Sequence, residues 1–106
     1  MFTKQGRPAQ LAPGQFERIA KALADPRRFA LFEAIAAGGE ECPNQRLCKD
    51  FPVSKATVSH HLKELSQAGL VESVKEGQFV TYRARRDVLR AYTIELMRRS
   101  GENPRV

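Results

Sequence analysis

Apolar residues repeat along this chain with two different periods, and the change between them divides the chain into its elements. Val58, His61, Leu62 and Leu65 recur at i, i+3, i+4 and i+7, the spacing of one buried helical stripe. Ser54 just before them suits an N-cap, and Gly69 just after them suits the left-handed residue that closes a helix. At about 100° per residue, Ala56, Ser59, His60, Lys63 and Gln67 face the other way. That outward face carries small, hydroxyl, imidazole and ammonium groups and no large apolar residue.

The helical period also predicts four other helices. Phe16, Ile19, Ala20 and Leu23 mark a first helix over residues 12–24. Asp25-Pro26 then open a second, with Asp as N-cap and Pro at its first position. Phe29, Leu31, Phe32 and Ile35 give it a wide apolar face, and Gly38-Gly39 end it. Residues 40–43 read as a turn. A short helix over 44–51 points Leu47, Cys48 and Phe51 inward, and Pro52-Val53 form the tight turn into the helix capped by Ser54. Two short helices joined by such a turn make a helix-turn-helix unit.

After Gly69 the period becomes two. Residues 70–75 and 78–85 read as strands around a Glu76-Gly77 turn, with Val80, Tyr82 and Ala84 on one face and Phe79, Thr81 and Arg83 on the other. A hairpin directly after such a helix is a wing. Arg83, Arg85 and Arg86 can lie along phosphates there, or can be a solvated edge that resists strand pairing. A last helix over 87–99 has apolar groups almost all round it: Val88, Leu89, Ala91, Tyr92, Ile94, Leu96 and Met97. A small domain cannot bury every side of a terminal helix, so one side is expected to meet a second copy. Phe16, Ile19 and Leu23 of the first helix with Tyr92, Ile94, Leu96 and Met97 of the last form the expected dimer interface.

The layout is mainly α with a small β-hairpin. Residues 1–10 are expected as a flexible arm, 11–100 as one winged helix-turn-helix domain for DNA binding and dimerisation, and 101–106 as a polar tail. A chain of 106 residues is one domain with a modest core. The net charge of +6, from 18 basic and 12 acidic residues, suits a polyanionic partner, and beside a helix that fits a groove it points to duplex DNA. Small outward residues let a helix enter the major groove, and polar ones read base edges or phosphates. No run approaches the roughly 18 apolar residues of a membrane span. The N-terminal residues lack the apolar core of a signal peptide. A cytoplasmic location follows as the expectation.

Three segments together, KALADPRRFALFEAI (21–35), FPVSKATVSHHLKELSQAGLVES (51–73) and EGQFVTYR (76–83), resemble the ArsR/SmtB family of winged-helix repressors. The resemblance covers most of residues 15–97 in the same order of elements. It implies a homodimeric, cytoplasmic repressor with five helices and a two-stranded wing, which an inducer, often a metal ion, releases from DNA. The family's DNA-touching positions match Ser54, Lys55, Ser59 and His60. With Ala56, Thr57, Lys63, Gln78 and Arg83, these make up the expected DNA-binding set, on a pseudo-palindromic operator.

The chain departs from the family's metal patterns. Where many members carry Cys-x-Cys, it has CPNQRLC, with Cys42 and Cys48 six positions apart. On the last helix Asp87 is present, but Leu89 holds the position of a His and no His follows His61. Zinc wants about four N, S or O ligands, so no metal site and no cofactor are expected. Cys48 reads as a small buried core residue. Cys42 reads as a possible N-cap of the short helix, where the helix dipole and the adjacent Glu40 and Glu41 oppose each other. A thiol- or metal-responsive repressor using Cys42 and Cys48 is one alternative. A winged-helix protein-interaction module is another, although the outward face of 54–67 lacks the apolar anchor that an interface needs. Catalysis is not expected, because neither cysteine has a third group to orient a His partner.

Overall fold

The computed structural model describes residues 10–39 and 42–103. Its elements run α1 (Gln15–Ala24), α2 (Pro26–Ala37), β1 (Cys42–Pro43), α3 (Asn44–Asp50), α4 (Lys55–Gln67), β2 (Val71–Glu76), β3 (Phe79–Ala84) and α5 (Arg86–Arg99). The expected arm at residues 1–10 and the end of the expected tail lie almost wholly outside the described residues.

Helix ends follow the local chemistry. Gly14 holds a left-handed φ of 78° and stops α1 from extending back to residue 12. The Gln15 amide donates to the Ala12 carbonyl at 3.0 Å, and the Ala12 amide donates to Gln15 Oε1 at 2.8 Å, closing a turn in front of the helix. Asp25 caps α2, its carboxylate accepting from the amides of Arg27 at 2.9 Å and Arg28 at 3.2 Å. Ser54 Oγ caps α4 by accepting from the Thr57 amide at 3.1 Å. At the far end of α4, the Leu70 amide donates to Leu65 O and the Gly69 amide to Ser66 O, both at 3.0 Å. This paired closure requires the left-handed φ of 84° at Gly69, and it buries Leu70 against the helix end it seals.

The wing is part of a three-stranded antiparallel sheet in the order β1-β3-β2. Cys42 pairs with Tyr82 and Pro43 with Thr81. Residues 42–43, expected in a turn, are therefore a short edge strand, a place where proline is tolerated because no ladder bond needs its missing N–H. The hairpin register pairs Glu76 with Phe79. The loop is thus Gly77-Gln78 rather than Glu76-Gly77, with φ 62° at Gly77.

One core joins these elements. Ile19 of α1, Leu31 and Ile35 of α2, Leu47 of α3, Val58 and Leu65 of α4, and Leu70 are all essentially inaccessible. The inner stripe of α4 is buried as its spacing predicts. Ile19 corrects one expectation: it is 0% exposed within its own protomer, so it cannot face a partner. The cysteines depart from expectation, although Cys48 does pack against the core as expected. Cys42 is buried in β1, while Cys48 is only half-buried. Pro43, not Cys42, occupies the cap position of α3.

Candidate nucleic-acid interface

The sequence gives α4 a buried stripe and a bare opposite face, and packing sets its orientation. Val58, His61, Leu62 and Leu65 anchor it on the core, so Lys55, Ala56, Ser59, His60, Lys63 and Gln67 are all exposed on the far side. At the N-terminus of α4 the hydroxyls of Ser54 and Thr57 lie 2.9 Å apart. Ser54 is exposed and Thr57 half-buried. The His60 and His61 rings sit 6.0 Å apart at 48° but serve opposite sides, one outward and one inward.

His61 belongs to the support of α4. It is 8% exposed, and burial lowers its pKa below 6.5, partly offset by the Asp25 carboxylate. Its Nδ1 accepts from Arg28 Nε at 3.5 Å, a long contact, and Arg28 Nη1 also reaches the Ala22 carbonyl at 3.5 Å. A second tie holds the other end of α4, where Gln15 Nε2 donates to the Ala68 carbonyl at 3.0 Å. A Cβ on Gly69 would come within 2.6 Å of that Gln15 nitrogen. Residue pattern did not disclose either tie, since both depend on which ends of separate helices meet.

The wing presents Gln78 and Phe79 at its exposed tip, with Lys75 exposed beside them. Arg83 is exposed but engaged. It donates from Nε to Glu72 Oε1 at 2.7 Å and pairs with the same oxygen through Nη2. Glu72 stands directly across the ladder from Arg83. Arg85 and Arg86 have structural duties. Arg85 binds both oxygens of the buried Asp87 at 3.1 and 3.0 Å, holding that carboxyl below its usual range. Arg86 donates to the Ala36 carbonyl at 2.6 Å near the end of α2. Asp87, the one residue that matched a family metal position, is thus occupied by a guanidinium. Among the described residues, no group of three or more His, Cys, Asp or Glu side chains lies together. Burial pushes the Cys42 thiol up, away from the reactive thiolate.

The outward residues proposed for a second interface fall on α1 and α5. Phe16 and Tyr92 stack at 5.1 Å, and the Arg99 guanidinium lies 3.9 Å from the Phe16 ring centroid. Leu96 and Met97 are 43% and 39% exposed.

Residues 23–74 match the model of a helix-turn-helix domain family. The transcriptional repressor SdpR of Bacillus subtilis is 31% identical over 71 residues, 67% of this chain and 77% of that protein. An ArsR-like transcriptional regulator from Rhodococcus superposes with a TM-score of 0.72 at 28% identity, over 84% of this chain and 81% of that one. The chain belongs to the ArsR family of winged helix-turn-helix transcriptional regulators. As a member it is a DNA-binding transcriptional regulator, in a family defined by regulation rather than by an enzymatic reaction. A further ArsR-type neighbour, the homodimeric winged helix-turn-helix DNA-binding domain of Mycobacterium bovis, has a TM-score of 0.66 at 28% identity, covering 83% of this chain and 81% of that one. In this regulator no helix among the described residues is long and apolar enough to cross a membrane.

Proposed function

We propose that this regulator acts in the cytoplasm as a homodimeric repressor that inserts α4 into the major groove of a pseudo-palindromic operator. The observation that carries this reading is the outward face of α4, where every exposed side chain from Lys55 to Gln67 is small or polar. Ser59 and His60 read base edges, and Ala56 leaves room for close approach. Lys55 and Lys63 neutralise phosphates, and the positive end of the helix dipole at the start of α4 favours an anion. Gln78 brings the tip of the wing to the adjacent backbone, with Arg83 beside it held by Glu72.

The exposed pair Leu96 and Met97, together with the partly exposed Phe16, Leu23, Tyr92 and Ile94, supports pairing of two protomers through α1 and α5. The homodimeric Mycobacterium bovis relative supports the same assembly, and the Bacillus subtilis relative supports repression. Two α4 helices in such a dimer read half-sites about 34–36 Å apart. The test is selection of bound duplexes from a random pool. The expected product is an inverted repeat, on which His60→Ala costs about 1–3 kcal/mol and on random DNA less. Recovery of no enriched sequence sinks the reading.

A further inference from the structure

Residues 15 and 16 open α1 and join it to two different helices. Gln15 reaches the end of α4. Its Nε2 donates to the Ala68 carbonyl at 3.0 Å, while its Oε1 accepts from the Ala12 amide at 2.8 Å. Ala68 is the C-terminal cap of α4 and is 0% exposed. The last carbonyls of a helix have no partner within it, so a donor from outside must supply one. Phe16 meets α5, packing on Tyr92 at 5.1 Å with the Arg99 guanidinium 3.9 Å from its ring centroid. The join is tight. A Cβ at Gly69 would stand 2.6 Å from Gln15 Nε2 and 3.9 Å from Val88 Cγ1 of α5. The C-terminal end of α4 is therefore seated where α1 and α5 meet, on the two helices proposed above to pair the protomers.

We propose that Gln15 is a positioning residue that sets the angle of α4 against the dimer helices, and through it the half-site spacing that the dimer accepts. The inference deepens the function proposed above and rests on it. The buried Ile19, Leu65 and Leu70 hold α4 on the core, but apolar packing is non-directional. A hydrogen bond is directional and weakens steeply as its angle closes. This one acts at the end of α4 opposite Ser54. The 13 residues of α4 span about 20 Å, so turning the helix by about 10° about its C-terminal end moves the other end by about 3 Å. That is close to one base-pair step, about 3.4 Å along a strand. Without the tie each α4 still reads its half-site, but the pair fits more than one separation.

The test uses the full chain on a duplex selected from a random pool. Two further duplexes lengthen or shorten the spacer between half-sites by one base pair, and a fourth keeps a single half-site. Gln15→Met removes both side-chain bonds at similar length. Gln15→Glu keeps the acceptor for the Ala12 amide and removes only the donor to Ala68. The parent is expected to lose at least tenfold in affinity on either altered spacer. Each variant is expected to lose less than threefold there, relative to its own affinity for the selected duplex, and to bind the single half-site within threefold of the parent. A variant that is merely less stable weakens on all four duplexes by one factor and keeps the tenfold ratio. That result, beside a parent that discriminates, overturns the proposal alone. Relaxed spacing in Gln15→Met but not in Gln15→Glu assigns the effect to the Ala12 turn and overturns the role of the Ala68 tie. A parent indifferent to spacing overturns the two-half-site reading itself, and the proposal with it.

Discussion

In the proposed complex Glu72 opposes DNA binding, and the effect can be measured. Its carboxylate holds Arg83 across the wing at 2.7 Å and lies 3.9 Å from Arg85. Glu72→Gln keeps the shape, removes a negative charge from the wing and, on the proposed reading, frees Arg83 for a phosphate. The stability cost is small, because Glu72 and Arg83 are 36% and 52% exposed and pairs this accessible contribute at most about 1 kcal/mol. The melting temperature should fall by less than about 6 °C. The binding effect is of similar size and is read separately. Each phosphate newly neutralised steepens the plot of log affinity against log salt by about 0.9, which is roughly threefold in affinity between 50 and 200 mM salt. A dimer gains up to two such contacts. Arg83→Ala, in contrast, removes a charge that Glu72 already balances, and its slope should change by less than about one. Fluorescence anisotropy of a labelled duplex across a salt series reads all three proteins. An unchanged slope in Glu72→Gln refutes the reasoning and leaves the pair as a purely structural feature of the wing.

Three further outcomes are expected. Ser54→Ala removes the acceptor of the Thr57 amide and should lower stability by about 1 kcal/mol in urea unfolding. The buried His61 has its pKa lowered from 6.5, chiefly by desolvation. Its contribution is fully present above about pH 6.5 and falls away below, because the unfolded chain takes up the proton first. The urea midpoint should therefore drop as the pH falls below about 6.5, and His61→Gln should flatten that drop. Asp25 and Asp87, both lowered from 3.8, act only in more acidic solution. Leu96 is 43% exposed, so Leu96→Asp should leave the protomer folded and yield a monomer by light scattering. A parent protein that is monomeric at micromolar concentration contradicts the dimer.

Elements with strong local signals were legible in the sequence, and those set by distant pairing were not. The inner stripe of α4, its Ser54 cap and its Gly69 closure all follow from spacing and terminal chemistry within one segment, and Asp25-Pro26 opens α2 for the same reason. Strand β1 has only two residues and exists because β3 offers it an edge, which residues 40–43 could not announce. The burial of Cys42 follows from that strand: pairing with Tyr82 draws it into the core. The Glu76-Gly77 turn signal predicts a loop one residue before the observed Gly77-Gln78, and the difference reaches the candidate site. A Glu76-Gly77 loop puts Leu70 opposite Arg83, whereas the observed register puts Glu72 there. The ion pair that restrains the wing was hidden by that slip. Helical spacing places Ile19 on the apolar face of α1 but cannot show that its own protomer covers that face.

In the proposed complex α4 and the wing hold duplex DNA through its backbone while the outward face of α4 reads sequence. A salt titration of binding to a selected duplex tests it most directly. Lys55 and Lys63 from two protomers neutralise four phosphates on this account, which predicts a slope of about −4 or steeper. The selected duplex should stay at least about 1,000-fold tighter than random DNA at physiological salt. Binding that is absent, indifferent to salt or equal for both duplexes would contradict the account.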